Sequence, residues 1–223
     1  MTHFVQRLAC AVGAAVVLSA GLSACVGPLL IGGAVVGGSL VAIDRRTSGA
    51  QLDDEAIELR SANQINTNLG SRVRVSVTSY NRQVLLTGEV ANLQDKQRVE
   101  QLVAGVDNVR AVVNELAVLN TPSLMDRSQD ALLTGRIKAA LLDTKDLQSN
   151  AFKVVTERGT TYLMGRVTQR EADRATEVVR ATPSVQKVVR ILEIISDQDL
   201  ERLRLSPSKP QSQPRPLAPV ISN

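Results

Sequence analysis

Apolar and polar positions follow two periods along this chain, and the same succession of periods occurs twice. From Asp54 to Asn68, Ile57, Ser61 and Ile65 recur at helical spacing among polar residues, which predicts a helix with one buried face. Val73, Val75 and Val77 then alternate with Arg74, Ser76 and Thr78, the period of a half-buried strand. Tyr80-Asn81 is expected to turn, and Val84 to Thr87 to form the next strand, closed by Gly88. Asn92 is placed to cap a second helix with Leu93, Val99, Leu102 and Val103 as its apolar face. Val109 to Leu119 alternates again, as a third strand.

Arg82–Val90 aligns with Gly159–Val167 at an offset of 77, so that Gly88 meets Gly165. Val109–Val113 aligns with Val185–Val189 at an offset of 76, and Asp54 and Ile57 fall on Asp130 and Leu133 at the same offset. One module of about 70 residues is therefore written twice. Each copy reads α-β-β-α-β, an α+β unit with two helices against a three-stranded mixed sheet. So small a unit buries only about 60% of its unfolded surface and is marginal alone. The copies are expected to pack on each other.

The N-terminal stretch has Arg7 as its only charged side chain, then small apolar residues, then Leu22-Ser23-Ala24-Cys25. That order is a secretory signal, and a Cys directly after Leu-Ser-Ala is the lipobox of a bacterial lipoprotein. Residues 1–24 are read as the signal peptide, and Cys25 as the lipidated first residue of the mature chain. Two or more acyl chains anchor stably where one does not. Val26 is not the Asp that retains lipoproteins in the inner membrane, so the anchor is expected in the outer membrane, on its periplasmic face. Residues 25–49 form a Gly-rich lead. Within it, Val26 to Ile43 is uncharged and long enough to span a bilayer, but Pro28 and five glycines favour a membrane-hugging tether. The modules are placed at 50–120 and 124–195. Residues 196–223 follow: a short charged helix from Asp197 to Leu205, then a Pro-rich tail expected to be disordered.

Composition removes several functions. The chain has two Cys and one His, and only Cys25 of the three survives processing, already acylated. The mature chain then holds no imidazole and no free thiolate. That excludes the usual zinc sites, Cys-His nucleophiles and the Ser-His-Asp triad. No phosphate-binding glycine loop and no HExxH is present, so no cofactor and no enzymatic activity are expected. The formal charge of +4 suggests nucleic acid at first sight. The chain has no Trp and no basic cluster interleaved with stacking residues, which argues against it. Charge differs by copy instead: residues 50–119 carry seven basic and nine acidic side chains, and residues 124–195 carry twelve and nine.

The succession of helix, Val-x-Val strand, Val-Leu-Leu-x-Gly-x-Val, acidic helix and final Val-rich strand resembles the BON domain. With the lipobox, the Gly-rich segment and the Asp44-Arg45-Arg46-Thr47-Ser48-Gly49 lead-in, the arrangement resembles the DolP family of dual-BON outer-membrane lipoproteins. The resemblance implies a non-enzymatic protein. Its second BON domain would bind anionic phospholipid such as phosphatidylglycerol and support outer-membrane integrity. It also implies association with division sites and with the β-barrel assembly machinery. A protein-interaction adaptor for that machinery is the alternative reading. A stress-induced periplasmic chaperone-like role is a third, which the lipobox disfavours.

Differences between the copies point to where a membrane contact would lie. The first helix of copy two is expected from Gln129 to Leu142, with Leu133, Ile137 and Leu141 toward the core. At 100° per residue, Leu132 and Leu142 fall off that stripe, where copy one has Ala56 and Asn66. Arg127, Arg136 and Lys138 lie nearby, whereas copy one has Asp53, Asp54, Glu55 and Glu58. An apolar tip flanked by cations suits an anionic bilayer, at about 1 kcal/mol per cation near the surface. The residues alone equally allow Leu132 and Leu142 to pack on copy one, on the linker or on a second molecule. The resemblance favours the membrane, although a family relative carries a large aromatic at the Leu132 position. Gly88 and Gly165 are expected to serve structure, not binding.

Overall fold

The computed structural model describes residues 44–119 and 124–205. The segments read as signal peptide and tether, Cys25 and the Pro-rich tail lie outside the described residues. Helix α1 (Ser48–Leu69) starts where the Thr47 hydroxyl accepts the Ala50 N–H, and it buries Ala50, Asp54, Ile57, Ser61, Ile65 and Leu69. Gly70 ends it at φ 56°, and a short 3₁₀ turn, Gly70–Arg72, leads into β1 (Val73–Tyr80). Strand β2 (Gln83–Val90) returns antiparallel to β1, from Tyr80↔Gln83 to Val73↔Val90. The Asn92 side chain accepts the Asp95 N–H and opens α2 (Leu93–Ala104). Strands β3 (Ala111–Asn114) and β4 (Ala117–Val118) then lie parallel to β2.

The second copy repeats the plan: α3 (Leu124–Asp143), a 3₁₀ turn at Ser149–Ala151, β5 (Phe152–Glu157), β6 (Thr160–Val167), α4 (Gln169–Ala181) and β7 (Lys187–Ile194). Strand orders are β1-β2-β3, with β4 beside β2, and β5-β6-β7. The charged segment after β7 forms α5 (Asp197–Leu205).

Several local expectations change. The hairpin turn is Asn81-Arg82, not Tyr80-Asn81. Both turn residues have positive φ (51° and 66°), as a two-residue hairpin requires, and Tyr80 stays in the strand. Arg158-Gly159 does the same in copy two. Gly88 does not close its strand but lies inside it, at φ 116°, where a Cβ would sit 2.0 Å from the Arg74 carbonyl oxygen. At Gly165 a Cβ would sit 2.3 Å from the Ala151 carbonyl oxygen. Leu93 is 69% exposed and does not join Val99 and Val103 in the core, because it is the first helical residue, ahead of the buried stripe. The third strand of copy one is broken at Glu115-Leu116. Gln83↔Ala111 and Glu89↔Ala117 keep one offset of 28, so β3 and β4 are one interrupted line. Leu116 is buried there in the core beneath α1 and α2.

Asp54 is no surface acid. Its carboxylate accepts from the Arg82 N–H (2.7 Å), the Asn81 N–H (2.8 Å) and the Ser79 hydroxyl (2.7 Å), clasping the turn of its own hairpin. Asp130 does likewise, accepting from the N–H groups of Arg158 (2.7 Å) and Gly159 (3.0 Å). Burial alone would raise the Asp54 pKa, but these hydrogen bonds and Arg46 hold it below the usual carboxylate value.

Each helix pair covers one face of its own sheet. Val84, Leu86, Val99 and Val103 build the core of the first domain, and Leu133, Ile137, Leu163 and Val179 that of the second. The bare faces meet each other. Leu85 and Tyr80 from one sheet pack with Tyr162, Met164 and Ile191 from the other, flanked by Val113, Val155 and Val189. The layers run helix, sheet, sheet, helix. Ion pairs rim this seam: Arg74 with Glu157, Arg158 with Glu89, and Lys153 with Glu58.

Candidate functional site

Helix α3 begins five residues earlier than its pattern predicts and presents two unlike faces. Leu133, Ile137 and Leu141 are 4%, 0% and 1% exposed. The opposite side is apolar as well. Leu132 (64% exposed), Leu142 (71%) and Met125 (66%) stand there with the exposed Gly135 and Ala139 between them. On a 3.6-residue helix these positions form one stripe running the length of α3. Arg127 and Lys138 border the stripe on one side and Arg136 on the other. All three are exposed, and among the described residues they make no ion pair. Leu132 and Leu142 thus present most of their surface outward from α3. Met125 was missed because the periodic pattern only becomes clear after Gln129.

The matching face of α1 also exposes leucines, Leu52 at 57% and Leu59 at 64%. They are separated by Glu55 and followed by Asn63 and Asn66. The copies thus differ in the continuity of the apolar surface more than in its presence.

The segment before α1 ties the domains together, a role no local pattern announces. Arg45 is 2% exposed. Its guanidinium donates to both carboxylate oxygens of Glu171, at 2.8 and 2.7 Å, and also to the Arg166 carbonyl (3.0 Å) and the Gln148 amide oxygen (3.1 Å). Glu171 belongs to a reciprocal cap at the start of α4, where its carboxylate accepts the Thr168 N–H. Burial would push the Glu171 carboxyl up, but the hydrogen bonds from Arg45 and Thr168 outweigh it and hold the pKa at about 2. Arg46 turns the other way. It donates to Asp54 of α1 and to Asp44, and lies 4.6 Å above the Tyr80 ring. Arg45 serves the second domain and Arg46 the first.

The candidate residues divide accordingly. Leu132, Leu142, Arg127, Arg136 and Lys138 share α3. Gly88 and Gly165 sit within the sheets, away from that face. Cys25 lies outside the described residues. Among the described residues no cluster of His, Cys, Asp and Glu could hold a metal ion, and no helix is long and apolar enough to cross a membrane.

Comparison with known proteins adds an independent finding. The BON domain profile matches residues 53–120 and 129–195. The outer membrane lipoprotein DolP of Haemophilus influenzae is 33% identical over 192 residues, covering 85% of this chain and 96% of that protein. The 21 kDa hemolysin of Actinobacillus pleuropneumoniae is 31% identical over 155 residues, covering 69% and 80%. The osmotically-inducible protein Y of Escherichia coli is 30% identical over 145 residues, covering 63% and 72%.

Proposed function

We propose a function on one premise: this chain belongs to the BON-domain family. It acts as an outer-membrane lipoprotein, held through Cys25 at the periplasmic face, and its second BON domain binds anionic phospholipid and so supports the integrity of that membrane. The observation that carries this reading is the α3 stripe, apolar along its exposed length but for Ser128, and bordered by Arg127, Lys138 and Arg136 without ion pairs among the described residues. Apolar side chains enter the acyl boundary of a bilayer while cations stay at the anionic headgroups. A tethered domain needs only weak affinity, since the anchor already supplies a high local concentration. The role is one of binding, not catalysis. The lipobox and the relative named as an outer membrane lipoprotein support the location.

Vesicle flotation of the mature chain carrying Cys25→Ser tests the reading. Binding is expected to phosphatidylglycerol vesicles and to be much weaker to zwitterionic ones. Equal binding to both, or to neither, overturns it.

A second reading has its own observation. Leu52 and Leu59 stand exposed on α1 beside Glu55, a mixed surface better suited to a protein than to an anionic bilayer. Through it the chain would act as an adaptor, for instance toward the β-barrel assembly machinery at division sites. Crosslinking from position 59 that captures an envelope protein, and loses it in Leu52→Glu, would favour this role.

A further inference from the structure

A cleft of about 560 Å³ opens beside the C-terminal half of α3. Lys138 and Leu142 of α3 and Lys153 of β5 form its second-domain wall; Arg46 and Tyr80 form the facing wall. Its volume lies in the range of sites that hold one small ligand, roughly 300–1,000 Å³. Phe152 and Val154 give it a buried apolar floor, and Asn150 and Ser149 place an amide and a hydroxyl on its rim.

The cations around it have donors to spare. Lys138 makes no ion pair among the described residues, so its three N–H groups are uncommitted. The Lys153 ammonium donates to Glu58 (2.8 Å) and to the Ser79 carbonyl (3.0 Å), leaving one of three. Arg46 spends Nε and Nη2 on Asp44 and Nη1 on Asp54, leaving two of its five. Asp44 lines the cleft too, but the Arg46 guanidinium grips both its oxygens. Leu142 joins this cleft to the exposed apolar stripe.

We propose that the cleft takes the headgroup of a single anionic phospholipid: the phosphate between Lys138, Lys153 and Arg46, the glycerol against Asn150 and Ser149, and an acyl chain leaving over Leu142. This rests on the reading that α3 faces the membrane. It adds a stoichiometric site to a surface contact, and it places selectivity for the headgroup at the seam between the domains, where the C-terminal end of the stripe meets it.

The test is amide chemical-shift titration of the Cys25→Ser mature chain. The probes are short-chain phosphatidylglycerol kept monomeric, short-chain phosphatidylcholine and inorganic phosphate, with flotation on phosphatidylglycerol vesicles alongside. Saturable shifts at Arg46, Asn150 and Lys153 are expected with monomeric phosphatidylglycerol, about tenfold weaker or absent with phosphatidylcholine. Asn150→Trp, a change at an exposed rim position that fills the cleft, should weaken that binding at least about tenfold while vesicle binding through α3 persists. No shifts with monomers while vesicles still bind would overturn the cleft site and leave the membrane-facing reading standing. Failure of vesicle binding would overturn both. Equal shifts with inorganic phosphate would make this a site for free phosphate and overturn the lipid assignment, as would unchanged monomer binding by Asn150→Trp.

Discussion

Arg45 and Arg46 are adjacent, yet one is locked to Glu171 and the other to Asp54. Removing one partner of a buried pair leaves an uncompensated charge. Arg45→Ala is therefore expected to destabilise the protein by about 3–5 kcal/mol, measured by urea denaturation. The Glu171 carboxyl sits at about 2, against 4.5 unperturbed. A carboxylate whose folded pKa is depressed stabilises the fold at pH values above its unfolded pKa. This contribution should be whole above about pH 4.5 and fade as pH falls toward 2, with Asp54 adding in the same direction. Glu171→Gln should flatten that part of an acid denaturation profile. Gly88 makes a third case at this scale. Its φ of 116° and the carbonyl oxygen 2.0 Å from a Cβ should make Gly88→Ala cost about 2 kcal/mol or more. Gly165→Ala, without the left-handed φ, should cost less on the same thermal melt. The sequence shows both glycines through the repeat. It shows Asp54 and Asp130 as equivalent, but not their purpose, because the turn that Asp54 clasps lies one residue later than the pattern suggests. Arg45 has no local signature, since its partner lies 126 residues away.

At the scale of elements, α1 and α3 occupy the same place in their domains and differ at the surface. Leu132→Glu should lower binding to phosphatidylglycerol vesicles at least about tenfold and leave the melting temperature nearly unchanged, because the side chain is 64% exposed. Loss of melting temperature together with binding would mean that Leu132 serves packing instead. Helical geometry alone placed Leu132 and Leu142 off the buried stripe. The same geometry applied to α1 exposes Leu52 and Leu59, which a comparison limited to aligned gains in copy two passes over. The strands were legible in type and order. Their ends were not, because they depend on which face each residue shows to a partner sheet.

At the scale of the molecule, the bare sheet faces form a second buried layer. Val84-Leu85-Leu86 carries that information in the sequence: three consecutive apolar residues in a strand mean that both faces are covered. The identity of the covering surface comes only from the assembled structure. Binding to vesicles should weaken as salt screens Arg127, Arg136 and Lys138, and flotation across a salt series should leave the residual part due to the apolar stripe. The segment before α1, with Arg45 and Arg46 gripping different domains, has a mechanical meaning besides. Arg45 and Arg46 directly precede the first turn of α1. If the chain is held through Cys25 as proposed, force from that side would reach both domains at once, as shear across two guanidinium grips, before it could unwind α1 from its first turn.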